Sequence, residues 1–312
     1  MDRPYPTPHW KIAINGFKAY LLLEQSLSAH TAEAYLRDIG KLTDFLQLLG
    51  KKASPEEVTT ADLQHLMQWL NELGLGERSQ ARLISALKTF YRYLVLEGYT
   101  EQDPASLIDA PRLGRKLPTV LSYEEVQRLL QAVDLSHPHG HRNRAILETL
   151  YACGLRVSEL IALRRSQFFA EAGFVRVIGK GDKERIVPIG QQAVKAVQLY
   201  LDGDRRKQMN IATGQEDFLF LSRRGKTLSR VMVFQIVKAA ARDAGVEKNV
   251  SPHTFRHAFA THLIEGGADL KAVQDMLGHE SIITTEIYTH LDTAYLRETI
   301  LQYHPRSRNR RK

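Results

Sequence analysis

The chain has 312 residues, of which 43% are hydrophobic and 25% charged, and this predicts a folded protein of two ordinary-sized domains. No apolar run approaches the roughly 20 residues that cross a bilayer, and the one cysteine, Cys153, excludes a disulfide framework and a cysteine-based zinc site. The formal net charge is +8, but five of the cations lie in residues 304–312, so total charge is weak evidence for a nucleic-acid partner. We expect a protein of the reducing cytoplasm with no membrane partner.

The first hundred residues predict a bundle of four helices. Apolar residues recur there at helical spacing, and the connections between the periodic segments are short. This pattern describes a core and says nothing about function. The predicted helices are residues 9–23, 28–48, 60–70 and 78–97, with Ser28 and Thr60 as caps and Gly50 and Gly98 as stops.

Residues 103–118 predict a linker, because the helical pattern lapses there and proline recurs at positions 104, 111 and 118. Proline lacks a backbone donor and favours an extended conformation in the residue before it. A long strap of this kind suggests two lobes that close around a ligand.

The rest of the chain predicts a mostly helical domain with one small hairpin. Ser122 and Glu125 have the spacing of a capping box at a helix start. Two β-like runs, 174–178 and 185–189, flank a turn at residues 179–183. The further helical segments are residues 142–153, 191–201, 229–244, 253–265, 269–277 and 292–302.

The residues after Pro252 combine a helix start with cationic side chains. His253 and Arg256 are three apart and share a face at the helix N-terminus, which favours an anionic ligand. Each candidate also has an ordinary explanation. Arg156 can pair with a carboxylate, Tyr288 can pack beside an isoleucine, and the glycines around Lys180 are typical of a turn.

A metal site is a weaker alternative for the same segment. His253 and His257 have the i, i+4 spacing of two ligands, and further histidines follow at 262, 279 and 290. Arg256 lies between the first two, however, and the chain has neither an HExxH motif nor a cysteine cluster. A pocket rich in arginine favours an anionic substrate over a metal ion.

Five motifs in one order resemble the tyrosine recombinases, or phage-integrase family, and most of all their bacterial Xer branch. The resemblance covers almost the whole chain, including the N-terminal helices and the His-Pro-Arg at residues 304–306. The motifs are GLRVSEL at 154–160, GKGDKER at 179–185, HTFRHAFATHL at 253–263, LGH at 277–279 and IYTH at 287–290.

The resemblance implies a mainly α protein with a small β-sheet, built as a two-domain DNA clamp. An N-terminal helical bundle then joins an α/β catalytic domain of the tyrosine recombinase type. The implied division is a core-binding, SAM-like domain at 1–102, a linker at 103–118, a catalytic domain with a C-terminal protomer-docking helix at 119–303, and a basic tail at 304–312.

Six side chains form the active site by that resemblance. Two guanidinium groups neutralise the pentacoordinate phosphorane with fixed donors, and an imidazole adds a further hydrogen bond. A phenol attacks phosphorus and forms a 3′-phosphotyrosyl link, with one histidine as base and the lysine as acid for the leaving oxygen. No ATP, metal or other cofactor is required. The two arginines are Arg156 and Arg256, the further histidine is His279, and the nucleophile is Tyr288. His253 is the base and Lys180 is the acid.

The implied partners are a double-stranded DNA recombination site and a second Xer-type recombinase in a heterotetramer, with a septal DNA translocase as regulator. The implied role is conversion of chromosome dimers to monomers. The helix after Tyr288 docks on a neighbouring protomer in this family, but its pattern fits equally with packing on its own domain. Candidate DNA contacts are Arg82, Lys88, Arg92, Arg223, Arg224, Lys226 and Arg230.

Three other functions remain open at this point. The chain is alternatively the integrase of a mobile element, a type IB topoisomerase-like enzyme that relaxes DNA, or a silent DNA-binding protein on the same fold. The complete set of six polar residues disfavours the silent protein, which has no chemical need for all of them.

Overall fold

The computed structural model describes residues 5–111, 120–179, 183–278 and 290–306, with the side chains of the last segment described from residue 295. Two compact units divide the chain, Met1–Lys116 and Leu117–Lys312. Among the described residues, no helix has the length and apolar character needed to span a bilayer. The mainly helical fold class with a small sheet is confirmed.

In the described part of the first unit, four α-helices pack around an aromatic core. The Phe90 ring lies 5.9 Å from that of Trp10 and 5.1 Å from that of Phe17, and all three side chains are fully buried. The indole Nε1 of Trp10 donates to the carbonyl of Ala53 at 2.9 Å, which satisfies the buried polar atom. The helices are α1 Pro8–Ala19, followed by a π-helical turn Tyr20–Glu24, then α2 Ala29–Leu48, α3 Thr60–Glu72 and α4 Glu77–Leu96.

Three details of this unit differ from the sequence prediction. The first predicted helix changes to π-helical geometry at Tyr20. Thr59, not Thr60, caps α3, because its hydroxyl and the Asp62 carboxylate each accept the other residue's backbone N–H. The start of the predicted linker packs on the bundle, where Ala105 and Ile108 are buried in its core.

The second unit packs around the largely buried helix Gly140–Cys153. It carries a three-stranded antiparallel sheet in the order β1-β2-β3. Inward positions of the hairpin bury Val175, Val177 and Val187 in the core. The short strand β1 and the six-residue helix α7 are elements that the sequence pattern did not predict. The elements are α5 Tyr123–Gln131, α6 Gly140–Cys153, α7 Val157–Ala162, β1 Phe168–Phe169, β2 Phe174–Ile178, β3 Glu184–Pro188, α8 Gln191–Tyr200, α9 Arg230–Asp243, α10 Pro252–Glu265, α11 Leu270–Leu277 and α12 His290–Tyr303.

Helix α12 packs on its own domain in this structure. Leu296 and Ile300 are buried in one cluster with residues of α10 and α11. The chain continues as an anchored segment at residues 304–306, where the sequence predicted the start of a basic tail. His304 is fully buried. The Arg306 Nη2 lies 2.6 Å from the buried Glu148 carboxylate of α6, and this ion pair holds the segment on the domain.

Candidate active site

The start of α10 places His253 and Arg256 as the sequence predicts. Ser251 and Thr254 form a reciprocal cap, in which each hydroxyl accepts the other residue's backbone N–H, and Pro252 occupies the first helical position. His253 is exposed on the first turn, whereas Arg256, one turn further on, is 6% exposed. A buried guanidinium requires partners, and these partners define the site.

Arg256 joins the ends of two helices. Its Nη1 donates to the Gly154 carbonyl at 2.8 Å, and its Nη2 donates to the Leu277 carbonyl at 2.7 Å. Gly154 ends α6 in the left-handed conformation, with φ of 58°, and a Cβ there would lie 2.4 Å from the Phe259 ring. Only glycine fits this position, so the end of α6 is built for close approach to α10.

Arg156 lies directly before α7 and turns back on it. Its backbone N–H donates to Glu159 Oε2 at 2.8 Å, and its Nη1 donates to Glu159 Oε1 at 2.8 Å. Its Nη2 reaches the Gly278 carbonyl at 3.2 Å, just past the end of α11. The Arg156 side chain stays 42% exposed, so this guanidinium is held in place and still faces solvent.

Glu159 is the residue around which the two predicted arginines meet. Its carboxylate is 3% exposed, accepts hydrogen bonds from Arg156, and lies 3.9 Å from the Arg256 Nη1. A third guanidinium, that of Arg185, contacts both carboxylate oxygens at 2.9 Å. Glu159 and Arg185 were not among the predicted site residues. The sequence carried one signal for each of them. Glu159 follows Arg156 at i, i+3 spacing, and Arg185 stands at an inward position of an apolar strand.

The cluster keeps an excess of positive charge. Three guanidinium groups surround one carboxylate, which leaves a formal charge of +2. Burial raises the pKa of Glu159, but hydrogen bonds and charge from Arg185 and Arg156 outweigh it and hold the pKa below its ordinary value. Burial, with the charge of Arg156, lowers the pKa of Arg256 to about 10, so this side chain remains cationic at neutral pH. Such an arrangement suits a phosphate group.

Three predicted site residues lie outside the described residues: Lys180, His279 and Tyr288. The described neighbours locate two of their attachment points. Gly179 donates its N–H to the Lys183 carbonyl at 2.8 Å at the base of the hairpin turn, and Gly278 ends α11 in the left-handed conformation next to Arg185. The contribution of Lys180, His279 and Tyr288 to the site stays a prediction from the motifs.

The predicted DNA contacts fall into two groups. In the first unit, Arg82 is held by Asp38 through two hydrogen bonds of 2.7 and 3.1 Å, so its guanidinium already has a structural partner. Lys88 is half-buried and Arg92 is exposed on the same helix. In the second unit, a turn closed by the Ser222 N–H and the Lys226 carbonyl at 2.7 Å presents exposed cations. These exposed residues are Arg223, Arg224 and Lys226, with Arg230 at the start of α9.

The metal alternative gains no support from the histidines of α10. His262 is buried and its Nδ1 lies 2.8 Å from the Tyr151 hydroxyl, and burial lowers the pKa of this imidazole. His253 and His257 lie on either side of Arg256 in sequence. Within residues 5–111, 120–179, 183–278 and 290–306, no three His, Cys, Asp or Glu side chains form a group that would hold a metal ion.

Removing the charge of Glu159 is expected to destabilise the protein in a pH-dependent way. A carboxylate whose pKa is lowered on folding contributes stability above its unfolded pKa, about 4.3, and loses that contribution as pH falls through the folded value. We expect Glu159→Gln to lower the free energy of unfolding by about 3 kcal/mol at pH 7, because it breaks a buried ion pair. The difference from the native chain should shrink as pH falls below 4.

Urea unfolding of both proteins between pH 7 and pH 3 measures this difference. Other carboxylates titrate in both proteins, so subtraction isolates position 159. A difference that stays constant across this range would contradict the assigned role of the ionised carboxylate.

Comparison with known proteins agrees with the geometry. Residues 119–294 match the model of the phage integrase family, and residues 14–98 match the phage integrase N-terminal SAM-like domain. The tyrosine recombinase XerD of Chlorobaculum tepidum is 47% identical over 300 residues, 95% of this chain and 97% of that protein. XerD of Listeria monocytogenes is 40% identical over 294 residues, 94% and 99% of the two chains.

A solved structure shows the same fold. The XerH site-specific recombinase, bound to a palindromic difH substrate in a post-cleavage complex, aligns with a TM-score of 0.69 and 24% identity, over 96% of this chain and 97% of that one. The resemblance inferred from the five motifs is confirmed by the family matches. The chain therefore belongs to the phage integrase family, in which it is a Xer-type tyrosine recombinase, an enzyme that cuts and rejoins DNA strands.

Proposed function

We propose that this recombinase forms a covalent bond between Tyr288 and a DNA 3′-phosphate, while Arg156 and Arg256 bind the nonbridging oxygens of that phosphate. The observation that carries the proposal is the meeting of these two arginines around Glu159. They come from segments a hundred residues apart, and Gly154 and Gly278, both in the left-handed conformation, supply carbonyls that hold them.

The proposed reaction is a transesterification without a net change in bond energy. The Tyr288 hydroxyl oxygen forms a bond to phosphorus as its proton passes to His253. The bond from phosphorus to the 5′-oxygen breaks, and Lys180 gives a proton to that leaving oxygen. His279 donates a hydrogen bond to the same phosphate. The 5′-hydroxyl of a partner strand then reverses the step, so the covalent link is resolved without an external energy source.

The excess positive charge explains how a phenol reacts near neutral pH. A free phenol has a pKa of about 10, and a phosphodiester gains negative charge on its nonbridging oxygens during attack. The buried charge of Arg256 and the exposed side of Arg156 stabilise both the phenolate and that developing charge. Each preorganised donor of this kind contributes about 10² to 10³ in rate.

The relatives named XerD support a role in chromosome maintenance. We infer that the chain works in the cytoplasm with a second Xer-type recombinase in a heterotetramer on a double-stranded recombination site. Its product would be monomeric chromosomes, and a septal DNA translocase would control it. In that assembly α12 leaves its own domain and docks on a neighbouring protomer, while Arg92 and the exposed turn at residues 223–226 contact phosphates.

We also propose that the two lobes are separate DNA-binding units. Residues 1–102 would bind one face of the duplex and residues 119–303 the other, joined through residues 103–118. The likeness of residues 14–98 to a SAM-like domain supports the first assignment.

A two-site DNA assay tests the function directly. We expect the protein and its partner recombinase to exchange strands between two copies of the chromosome-terminus site on one plasmid. Strand exchange without relaxation of one-site plasmids supports recombination. Relaxation of one-site plasmids with no exchange would favour the topoisomerase alternative, and activity only on mobile-element ends would favour the integrase alternative.

A further inference from the structure

Arg185 occupies an unusual position on β3. Side chains of a strand alternate between faces, and Arg185 points to the same face as Val187, opposite Val177 of β2. Both valines are buried in the core, and Arg185 is itself 6% exposed. An arginine on the inward face of an apolar strand costs desolvation energy, so its contacts must explain its presence.

The contacts of Arg185 reach two separate elements. Its Nη1 and Nη2 each donate to one Glu159 oxygen at 2.9 Å, and its Nε donates to the Met276 carbonyl at 2.8 Å. The side chain also packs under Gly278, where a Cβ would lie 3.2 Å from the Arg185 Cδ and Nη1. One planar guanidinium thus joins β3, α7 and the end of α11.

These are the two elements that hold the Arg156 guanidinium. Arg156 Nη1 donates to Glu159, and Arg156 Nη2 donates to the Gly278 carbonyl. Arg185 therefore holds in place both acceptors of the Arg156 guanidinium, which are the Glu159 carboxylate and the turn at Gly278. These two acceptors are the anchors of Arg156. Both guanidinium groups are donors, so Arg185 makes no hydrogen bond to Arg156 and acts on it through the Glu159 oxygen that they share.

We propose that Arg185 is a positioning residue that sets the geometry of Arg156 through Glu159 and the Gly278 turn. The inference rests on the proposed function, in which Arg156 binds the scissile phosphate. Arg185 also supplies one of the three positive charges around Glu159. The negative charge of Glu159 is therefore shared among three guanidinium groups and is not neutralised by Arg156 alone. A lysine at position 185 keeps the charge but lacks the planar fork that spans two oxygens and a carbonyl.

A double-mutant cycle on adduct formation tests this role. The measured quantity is the single-turnover rate of covalent adduct formation on a nicked site, for Arg185→Met in the native chain and in an Arg156→Lys chain. We expect Arg185→Met to lower the rate by about tenfold or more in the native chain. In the Arg156→Lys chain we expect a loss of less than about twofold, because the lysine at position 156 is already displaced from the geometry that Arg185 sets. DNA affinity should change by less than about threefold.

Arg176→Met is the matched control. Arg176 lies on β2 with its side chain 44% exposed and forms a 3.8 Å ion pair with Glu184, an exposed pair worth little, so its loss should leave the rate unchanged. If Arg185→Met does not fold, as judged by thermal unfolding, Arg185→Lys takes its place with the same expectation.

An equal fold-loss in both backgrounds would show that Arg185 is only a structural support and would overturn the inference. The proposed function fails separately, if the unmodified chain forms no adduct at all. A loss confined to the native background supports positioning through Arg156.

Discussion

The Tyr288→Phe chain is expected to bind its recombination site and to form no covalent adduct. Phenylalanine keeps the ring and removes only the oxygen that would bond to phosphorus, so packing and DNA contacts should persist while the chemical step has no nucleophile. The native chain should trap on a suicide site nicked just 3′ of the scissile phosphate, because the short fragment with the free 5′-hydroxyl diffuses away and rejoining stops.

The measurement is the fraction of 5′-labelled strand that migrates with protein on a denaturing gel. Tyr295→Phe supplies a matched control, since Tyr295 is a half-exposed tyrosine of α12 that has no part in the proposed reaction. Peptide mapping of the native adduct should give a phosphotyrosyl peptide that contains residue 288. An adduct formed equally well by Tyr288→Phe would remove this residue from the mechanism.

The helical periodicity predicted most of the fold because burial dominates these elements. The segment 142–153 was predicted almost to its ends, since an apolar helix that stops at a glycine leaves few alternatives. The strand β1 was missed because two residues carry no periodic signal. The burial of Ala105 and the anchoring of Arg306 were also missed, because each depends on a partner that is far away in sequence.

The residues of the candidate site were likewise predicted only in part. The family resemblance carried by the five motifs predicted that Arg156 and Arg256 belong together, and the structure brings both near Glu159. Glu159 and Arg185 could not be assigned from spacing, because their role depends on tertiary contacts across 26 residues of sequence. The ordinary explanation for Arg156, pairing with a carboxylate, is correct as well, since the same pair that neutralises part of its charge also orients it.

The Arg256→Lys chain is expected to lose about 10³-fold or more in the rate of adduct formation. Arg256 spans two carbonyls with two different nitrogens, which a single ammonium cannot reproduce. A lysine amine also starts from a pKa of about 10.4, against 12.5 or more for a guanidinium. The same burial and Arg156 charge, which lower the pKa of Arg256 to about 10, would also lower the pKa of a lysine amine at this position.

The pH dependence of the rate distinguishes the loss of charge at position 256 from the loss of geometry. If the substituted amine loses its proton near neutral pH, the residual rate of Arg256→Lys should rise as pH falls from 8 to 6, whereas Arg256→Gln should gain nothing from the same change. Arg242→Gln is the matched control, because Arg242 is exposed on α9 and pairs with its neighbour Asp243. Single-turnover rates at several pH values, with thermal unfolding to confirm folding, give both comparisons. A rate for Arg256→Lys within tenfold of the native chain would mean that the buried fork is not required for cleavage, and that charge close to the phosphate is sufficient.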